Sequence, residues 1–242
     1  MSTACLIDTE TTGFDEPDVI ELAWMGPLHV FSPPDAGIEK MRFRPRKPIS
    51  LGAMAVHHIL DEDLAGEPEW PGSWTPPADY IVAHSVDYDW KAIGQPNVKR
   101  ICTLALSRRL WPDLDSHSLS ALTYHFTDRR EARELLKGAH GAATDVELCC
   151  RVLCQILRAM PKVASWDRLW DASERARVPT HLDFGKYGPK SDWAKAHNQP
   201  KGMPIADLPH LDSNYLWWLL SGKCDQVNDD PYLAKALRGE AA

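Results

Sequence analysis

The chain has 242 residues, room for one medium α/β domain and a small appendage. Hydrophobic residues make up 44% and charged residues 25%, so a core can form without disulfides. With 27 Lys+Arg against 34 Asp+Glu the net charge is −7, which argues against coating nucleic acid by bulk electrostatics but leaves room for reaching phosphates through bound metal ions.

Ala4-Cys5-Leu6-Ile7 leads into Asp8-Thr9-Glu10-Thr11-Thr12-Gly13, and Val19-Ile20-Glu21-Leu22-Ala23-Trp24 follows a turn marked by Asp15, Pro17 and Asp18; two strands joined by a loop are predicted. Met41-Arg42-Phe43-Arg44 alternates apolar and basic side chains until Pro45 ends it, a third strand with one wet face. A short helix is expected over 50–60. Tyr80-Ile81-Val82-Ala83 reads as a short buried strand that delivers His84, and a helix starts within 88–93. Residues 101–109 are apolar at helical spacing up to Trp111-Pro112, and 118–126 and 130–136 read as two further short helices. After the Gly138-Ala139-His140-Gly141 loop, apolar positions recur at helical spacing over 142–160, the longest helix, which Pro161 stops. Strands first and helices afterwards predict an α/β layer with a mixed sheet.

Beyond Pro161 the texture changes: Trp166, Trp170, Trp193, Trp217 and Trp218 are half of the ten tryptophans, with glycines and prolines between them. The expected organisation is a larger domain over 1–164, a linker over 165–180 and a small module over 181–242. The six cysteines form no Cys-x-x-Cys pair, and Cys150 and Cys154, four apart on a helix, read as buried small residues rather than a metal pair. No apolar run reaches the length of a membrane span, and no basic region leads into an apolar signal core, so a cytoplasmic protein with reduced thiols and no membrane partner is expected.

Asp8 and Glu10 are two apart on a strand, so both side chains project from one face and can share an ion. Adjacent acids at the end of an apolar strand are costly unless a cation compensates them. Asp89 follows the second buried strand, and Asp145 lies in the first turns of the longest helix. Together they offer converging oxygen ligands suited to Mg²⁺ or Mn²⁺, with no thiol or multi-His cluster that would suit zinc. Such a set can hold two metals for in-line attack on a phosphodiester. His140, on the loop ahead of the same helix, is placed to take a proton from water; the alternative is a helix-start histidine bonded to backbone.

Asp8-Thr9-Glu10-Thr11-Thr12-Gly13, His84-x-x-x-Tyr88-Asp89 and His140-x-Ala142-x-x-Asp145 resemble the three motifs of the DEDDh 3′→5′ exonucleases. The segments Arg44-Pro45-Arg46-Lys47-Pro48-Ile49, Ala53-Met54-Ala55-Val56-His57 and Ile101-Cys102-Thr103-Leu104-Ala105-Leu106 are similar to those of exonuclease X-like proteins, and the resemblance covers roughly residues 4–160. It implies a ribonuclease H-like mixed sheet flanked by helices, Asp8, Glu10, Asp89 and Asp145 as ligands of two Mg²⁺ or Mn²⁺ ions, and His140 as general base. It further implies substrate contacts from Thr11, Phe14, Met54, His57, His84 and Ser85. Phe14 is either a wedge on which the terminal base stacks or a core ring, and Met54 and His57 either meet the terminal nucleotide or pack a core helix. The family usually has Asn after the motif histidine and Phe before its Asp; this chain has Ser85 and Tyr88, which puts substrate positioning in doubt more than catalysis. Arg42, Arg44, Arg46 and Lys47 form a basic cluster that would suit phosphates or be a solvated strand face.

His181-Leu182-Asp183-Phe184-Gly185-Lys186-Tyr187-Gly188 and Tyr215-Leu216-Trp217-Trp218 resemble the small Phe-Gly-Lys module that follows the exonuclease domain in some exonuclease X-like proteins, with residues 189–200 as an insertion. Lys186, Lys190, Lys195 and Lys201 with Trp193 either follow a nucleic-acid strand or decorate a packing module. The function expected is metal-dependent 3′→5′ exonucleolytic release of nucleoside monophosphates from DNA 3′ ends. The alternatives are an RNA-directed enzyme of the same family, separated by contacts to a 2′-OH, and a non-catalytic nucleic-acid-binding or polymerase-associated module. Protein partners are left open.

Overall fold

The run Ala4, Cys5, Leu6 and Ile7 is fully buried, and it organises the first of two units in the computed structural model, which describes residues 2–29 and 37–240. It belongs to β1 (Ala4–Thr11), the middle strand of a five-stranded mixed sheet. On one side β2 (Val19–Leu28) and β3 (Ile38–Arg42) extend the sheet antiparallel; on the other β4 (Tyr80–Ala83) and β5 (Lys99–Cys102) run parallel to β1, giving the order β3-β2-β1-β4-β5. All four residues of β4 are buried, as befits a parallel strand covered on both faces, whereas edge strand β3 is mostly exposed. Between β3 and β4 lies α1 (Leu51–His57), and α2 (Val86–Ala92) makes the crossover from β4 to β5 that a parallel pair requires.

Three short helices follow, α3 (Thr103–Leu110), α4 (Leu119–Phe126) and α5 (Arg129–Leu135), and then the long α6 (Ala142–Ala159), which packs across β1 and β2 and against α3 and α4. Val146, Cys149, Leu153 and Ile156 give α6 a buried stripe at helical spacing; an aliphatic side chain so buried contributes about 1.5–3 kcal/mol.

Residues 101 and 102, expected as the start of a helix, instead end β5: Cys102 pairs with Ala83, and the helix begins at Thr103. A four-residue strand running straight into a helix is too short for its alternation to be distinguished from helical spacing. The stretch 165–180, expected as a linker, is largely helix α7 (Trp166–Arg177). Trp166, Leu169, Ala172 and Ser173 are its buried face, and the Ser173 hydroxyl accepts the Cys102 N–H at 2.8 Å. The two compact units, Met1–Ser173 and Glu174–Ala242, part within that helix.

The second unit assembles α8 (Asp192–Ala196), α9 (Leu208–Leu211), α10 (Ser213–Leu220), α11 (Asp225–Asp229) and α12 (Pro231–Leu237) around buried Leu182, Met203, Leu208, Leu219, Val227 and Leu233. Asp212 ties it together, accepting from Lys186 Nζ at 2.6 Å, Tyr187 Oη at 2.7 Å and the Tyr215 N–H at 3.0 Å. Gly202 has φ +86°, and a Cβ there would run into the Leu182 carbonyl oxygen, so only glycine fits. α8 lies within the stretch expected as an insertion. The six cysteines are unpaired, five of them buried. Among the described residues no helix is long and apolar enough to cross a membrane.

Candidate active site

Strand alternation sends Asp8 and Glu10 to one side of β1, and the first turn of α6 brings Asp145 to meet them. Carboxylate oxygens of these three residues lie within 4.8 Å of one another, the one such cluster of metal-ligating side chains among the described residues. Asp89, in α2, is 4% exposed, and its Oδ1 accepts from the Thr9 hydroxyl at 2.9 Å. Thr9 lies between the two acids of β1, so its hydroxyl tethers the fourth carboxylate to the strand that carries the first two.

The cluster is electrostatically strained. Burial raises the Asp8 carboxyl well above its ordinary range, and the charges of Asp89, Asp145, Glu10 and Glu21 add to the rise. Burial, with Asp145, Glu21 and Asp89, pushes Glu10 up to about 8. Burial also carries Asp89 up to about 7, against the pull of its Thr9 hydrogen bonds. Asp145 is raised by burial too, while the His140 imidazole and the His140 backbone N–H, which donates to its carboxylate, work in the opposite direction. A hard divalent cation would relieve all four at once, and an all-oxygen donor set is the kind that Mg²⁺, Mn²⁺ and Ca²⁺ take.

His140 is exposed and adopts φ +65°, a left-handed conformation that costs a non-glycine residue about 1–2 kcal/mol. Its side chain is not packed away, and its imidazole is near enough to Asp145 to lower that carboxyl's pKa. Phe14 is 93% exposed and meets Tyr88 edge to face at 5.9 Å, so its ring is not part of the core. Thr11 and Tyr88 join their hydroxyls, and both reach the Gly13 carbonyl, Thr11 at 3.0 Å and Tyr88 at 3.2 Å. Ser85 is exposed at the start of α2 with φ +78°, a backbone that Asn or Gly adopts more readily than Ser.

The remaining expected contacts are tied into the fold. Met54 packs against Ile20, Ile49, Ile59 and Leu64. His57 is buried: its Nδ1 accepts the Ile59 N–H at 3.0 Å, its Nε2 faces the Thr11 carbonyl at 3.3 Å, and burial lowers its pKa. His84 bridges the Thr103 hydroxyl at 3.0 Å and the His117 carbonyl at 2.7 Å, and burial drives its pKa down to about 4, which keeps the ring neutral. The basic cluster is likewise engaged: Arg42 with Glu21, Arg44 with Glu69, Arg46 with Asp18, and Lys47 with the Asp15 carbonyl.

Sequence reasoning missed Thr9, Thr103 and above all Glu21, a carboxylate 2% exposed beside the cluster. The signal was a single acid inside the apolar run Val19-Ile20-Glu21-Leu22-Ala23, since an acid is buried only with partners.

No family model matches the chain. It is 27% identical over 221 residues to exodeoxyribonuclease 10 of Escherichia coli K12, covering 89% of this chain and 90% of that protein. Its fold matches a structure of exonuclease X in complex with 5′ overhanging duplex DNA, at TM-score 0.52 and 24% identity over 70% of this chain and 99% of the other. It also matches a zinc-bound Escherichia coli exonuclease I complex with single-stranded DNA, at TM-score 0.58 and 17% identity over 95% of this chain and 61% of that longer one. With its mixed five-stranded sheet and a relative similar over nearly the whole length of both proteins, the chain is similar in sequence to exodeoxyribonuclease 10 and shares the fold of the DEDD exonucleases.

Proposed function

We propose that the protein is a divalent-metal-dependent 3′→5′ exonuclease that removes nucleoside monophosphates one at a time from DNA 3′ ends. The observation that carries this reading is the meeting of Asp8, Glu10 and Asp145 oxygens within 4.8 Å, with Asp89 tethered behind them. These four carboxylates would hold two Mg²⁺ or Mn²⁺ ions. Bound there, the ions would supply Lewis-acid stabilisation of the charge that builds on the phosphate and on the leaving 3′ oxygen.

The chain's own residues account for the rest. His140, exposed and near Asp145, accepts a proton at a ring nitrogen from the water that attacks phosphorus. Phe14, almost fully exposed and braced by Tyr88, offers a face for the terminal base. Thr11 and Ser85 supply hydroxyls near the terminal sugar and phosphate. His57 and His84 act from behind, as neutral rings that fix the ends of β1 and β4. The six free thiols suit a reducing compartment, the cytoplasm.

The test uses DNA and RNA oligonucleotides of one sequence, labelled at the 5′ end, with Mg²⁺ or Mn²⁺ present. A descending ladder on DNA is expected, abolished by EDTA and by a blocked 3′ end. Release of a labelled 5′ mononucleotide in the first turnovers, or full activity in excess EDTA, would overturn the reading; a ladder on RNA alone would move the substrate to the 2′-OH form.

A further inference from the structure

α6 begins without a cap of its own. Its N-cap position is Gly141, which has no side chain to accept a first-turn amide, whereas Ser50, Ser118 and Asp128 do this for α1, α4 and α5. The acceptor comes instead from the sheet: Glu21 Oε1 takes the Ala142 N–H at 3.1 Å, a bond between residues 121 apart in sequence. The other oxygen, Oε2, is held by Arg42 Nε at 2.7 Å and Lys40 Nζ at 3.3 Å, both from edge strand β3. A buried carboxylate persists only when its lone pairs are filled in this way. Glu21 stands opposite Glu10 in the β1–β2 register, yet it is not one of the clustered metal-ligating side chains. Its oxygens are committed to the amide and the two cations.

We infer that Glu21 is a positioning residue, a helix cap supplied from β2 that fixes the first turn of α6, and with it Asp145 and His140, against Asp8 and Glu10. The rest of α6 is held by its buried stripe, so removing the cap frays one turn and leaves the helix in place. That turn carries Asp145. The negative carboxylate also complements the positive end of the helix, which a neutral acceptor does less well. The inference rests on the exonuclease reading for its kinetic readout alone.

Four variants decide it: Glu21→Ala, Glu21→Leu, Glu21→Gln and the double Glu21→Ala/Gly141→Ser. Leucine fills the buried space without an acceptor, which guards against an effect of the cavity. Serine fits at Gly141, where φ is −119° and an added Cβ would stand 3.4 Å from the Gly138 carbonyl oxygen, and it can cap the helix locally. Each variant is first shown folded by its thermal melt. Hydrogen exchange of the amides of residues 142–145 is then compared with that of the helix middle, and kcat and KM are measured on a short DNA oligonucleotide. Glu21→Ala and Glu21→Leu are expected to exchange faster in the first turn alone and to lose kcat roughly 10²-fold with little change in KM, the scale of a misplaced catalytic group. Glu21→Gln keeps an acceptor and regains much of both, and the local serine cap restores them in the double variant. First-turn exchange at the wild-type rate in Glu21→Ala and Glu21→Leu would overturn the inference, as would lost kcat that neither glutamine nor serine recovers, since Glu21 would then act through its charge. A wild-type protein without nuclease activity would instead refute the proposed function, and the exchange data would still decide the cap.

Discussion

In the second unit Asp212 accepts from Lys186, Tyr187 and the backbone of Tyr215, and these partners hold its carboxyl down at about 2. In the first unit Glu10 is buried among Asp145, Glu21 and Asp89 and is pushed up to about 8. Both residues are acids with close neighbours; one has every partner it needs within the chain, and the other is surrounded by its own sign. A carboxylate of the first kind stabilises a fold, and one of the second kind marks a place where the chain has left a charge for something else to neutralise. The two units therefore answer different questions, and substitutions can show whether the division holds.

The largest effect is expected at Asp8. Asp8→Asn removes one of the proposed metal ligands and should cut kcat by roughly 10³-fold or more on a 5′-labelled oligonucleotide. The same substitution removes like-charge repulsion, so it should raise the melting temperature in EDTA; wild-type kcat, or a lower metal-free melting temperature, would break the contrast. Next comes His140→Ala, for which a loss of roughly 10²–10⁴ in kcat is expected, the range for a missing general base. Added Mn²⁺ should still raise the variant's melting temperature, because the four carboxylates are intact. A turnover equal to wild type would reduce the imidazole to a bystander.

Removing the metal sharpens the comparison through pH. Glu10 and Asp89 keep their protons up to about 8 and about 7, above the ordinary 4.5 and 3.8, so their contribution to metal-free stability is full below the ordinary values and is lost as pH rises through 7 and 8. Asp212 has the opposite sign: its contribution is present above 3.8 and is lost as pH falls through about 2. Melting in EDTA should therefore weaken for the first unit between about pH 5 and about pH 8, and Mg²⁺ or Mn²⁺ should restore most at the upper end. A metal effect independent of pH would contradict this. The smallest effect concerns Asp212→Asn, which should lower the melting temperature of the second unit by several degrees while leaving kcat on short oligonucleotides unchanged. Lost turnover there would show that the second unit serves the chemistry.

Much of the site was legible because its signals are local. Asp8 and Glu10 announce themselves by an i, i+2 spacing at the end of an apolar strand, and Asp145 by its place ahead of a clear helical stripe. Glu21 was not legible, since what it does depends on an amide 121 residues away. His57 and His84 carried the right residue type for a binding role, but their ring nitrogens are occupied by groups that only the folded chain brings near. In the fold, β5 was hidden by its brevity. α7 was hidden by its tryptophans: Trp166, Leu169, Trp170 and Ser173 follow helical spacing, but their density amid nearby glycines and prolines suggested a change of domain rather than a helix.

The position of β1 has a consequence for the order in which the protein takes shape. Its pairing with β2 is local in sequence, whereas its other edge pairs with β4 and its acids meet α6, both far along the chain. Contacts of such long sequence separation close late, because the chain entropy must be lost before they reward it. On the ribosome the strand bearing Asp8 and Glu10 is made before the residues that complete the set, which emerge only after most of the first unit exists. A nascent or half-folded chain thus carries two acids and no nuclease, and hydrolytic competence arrives together with the finished sheet.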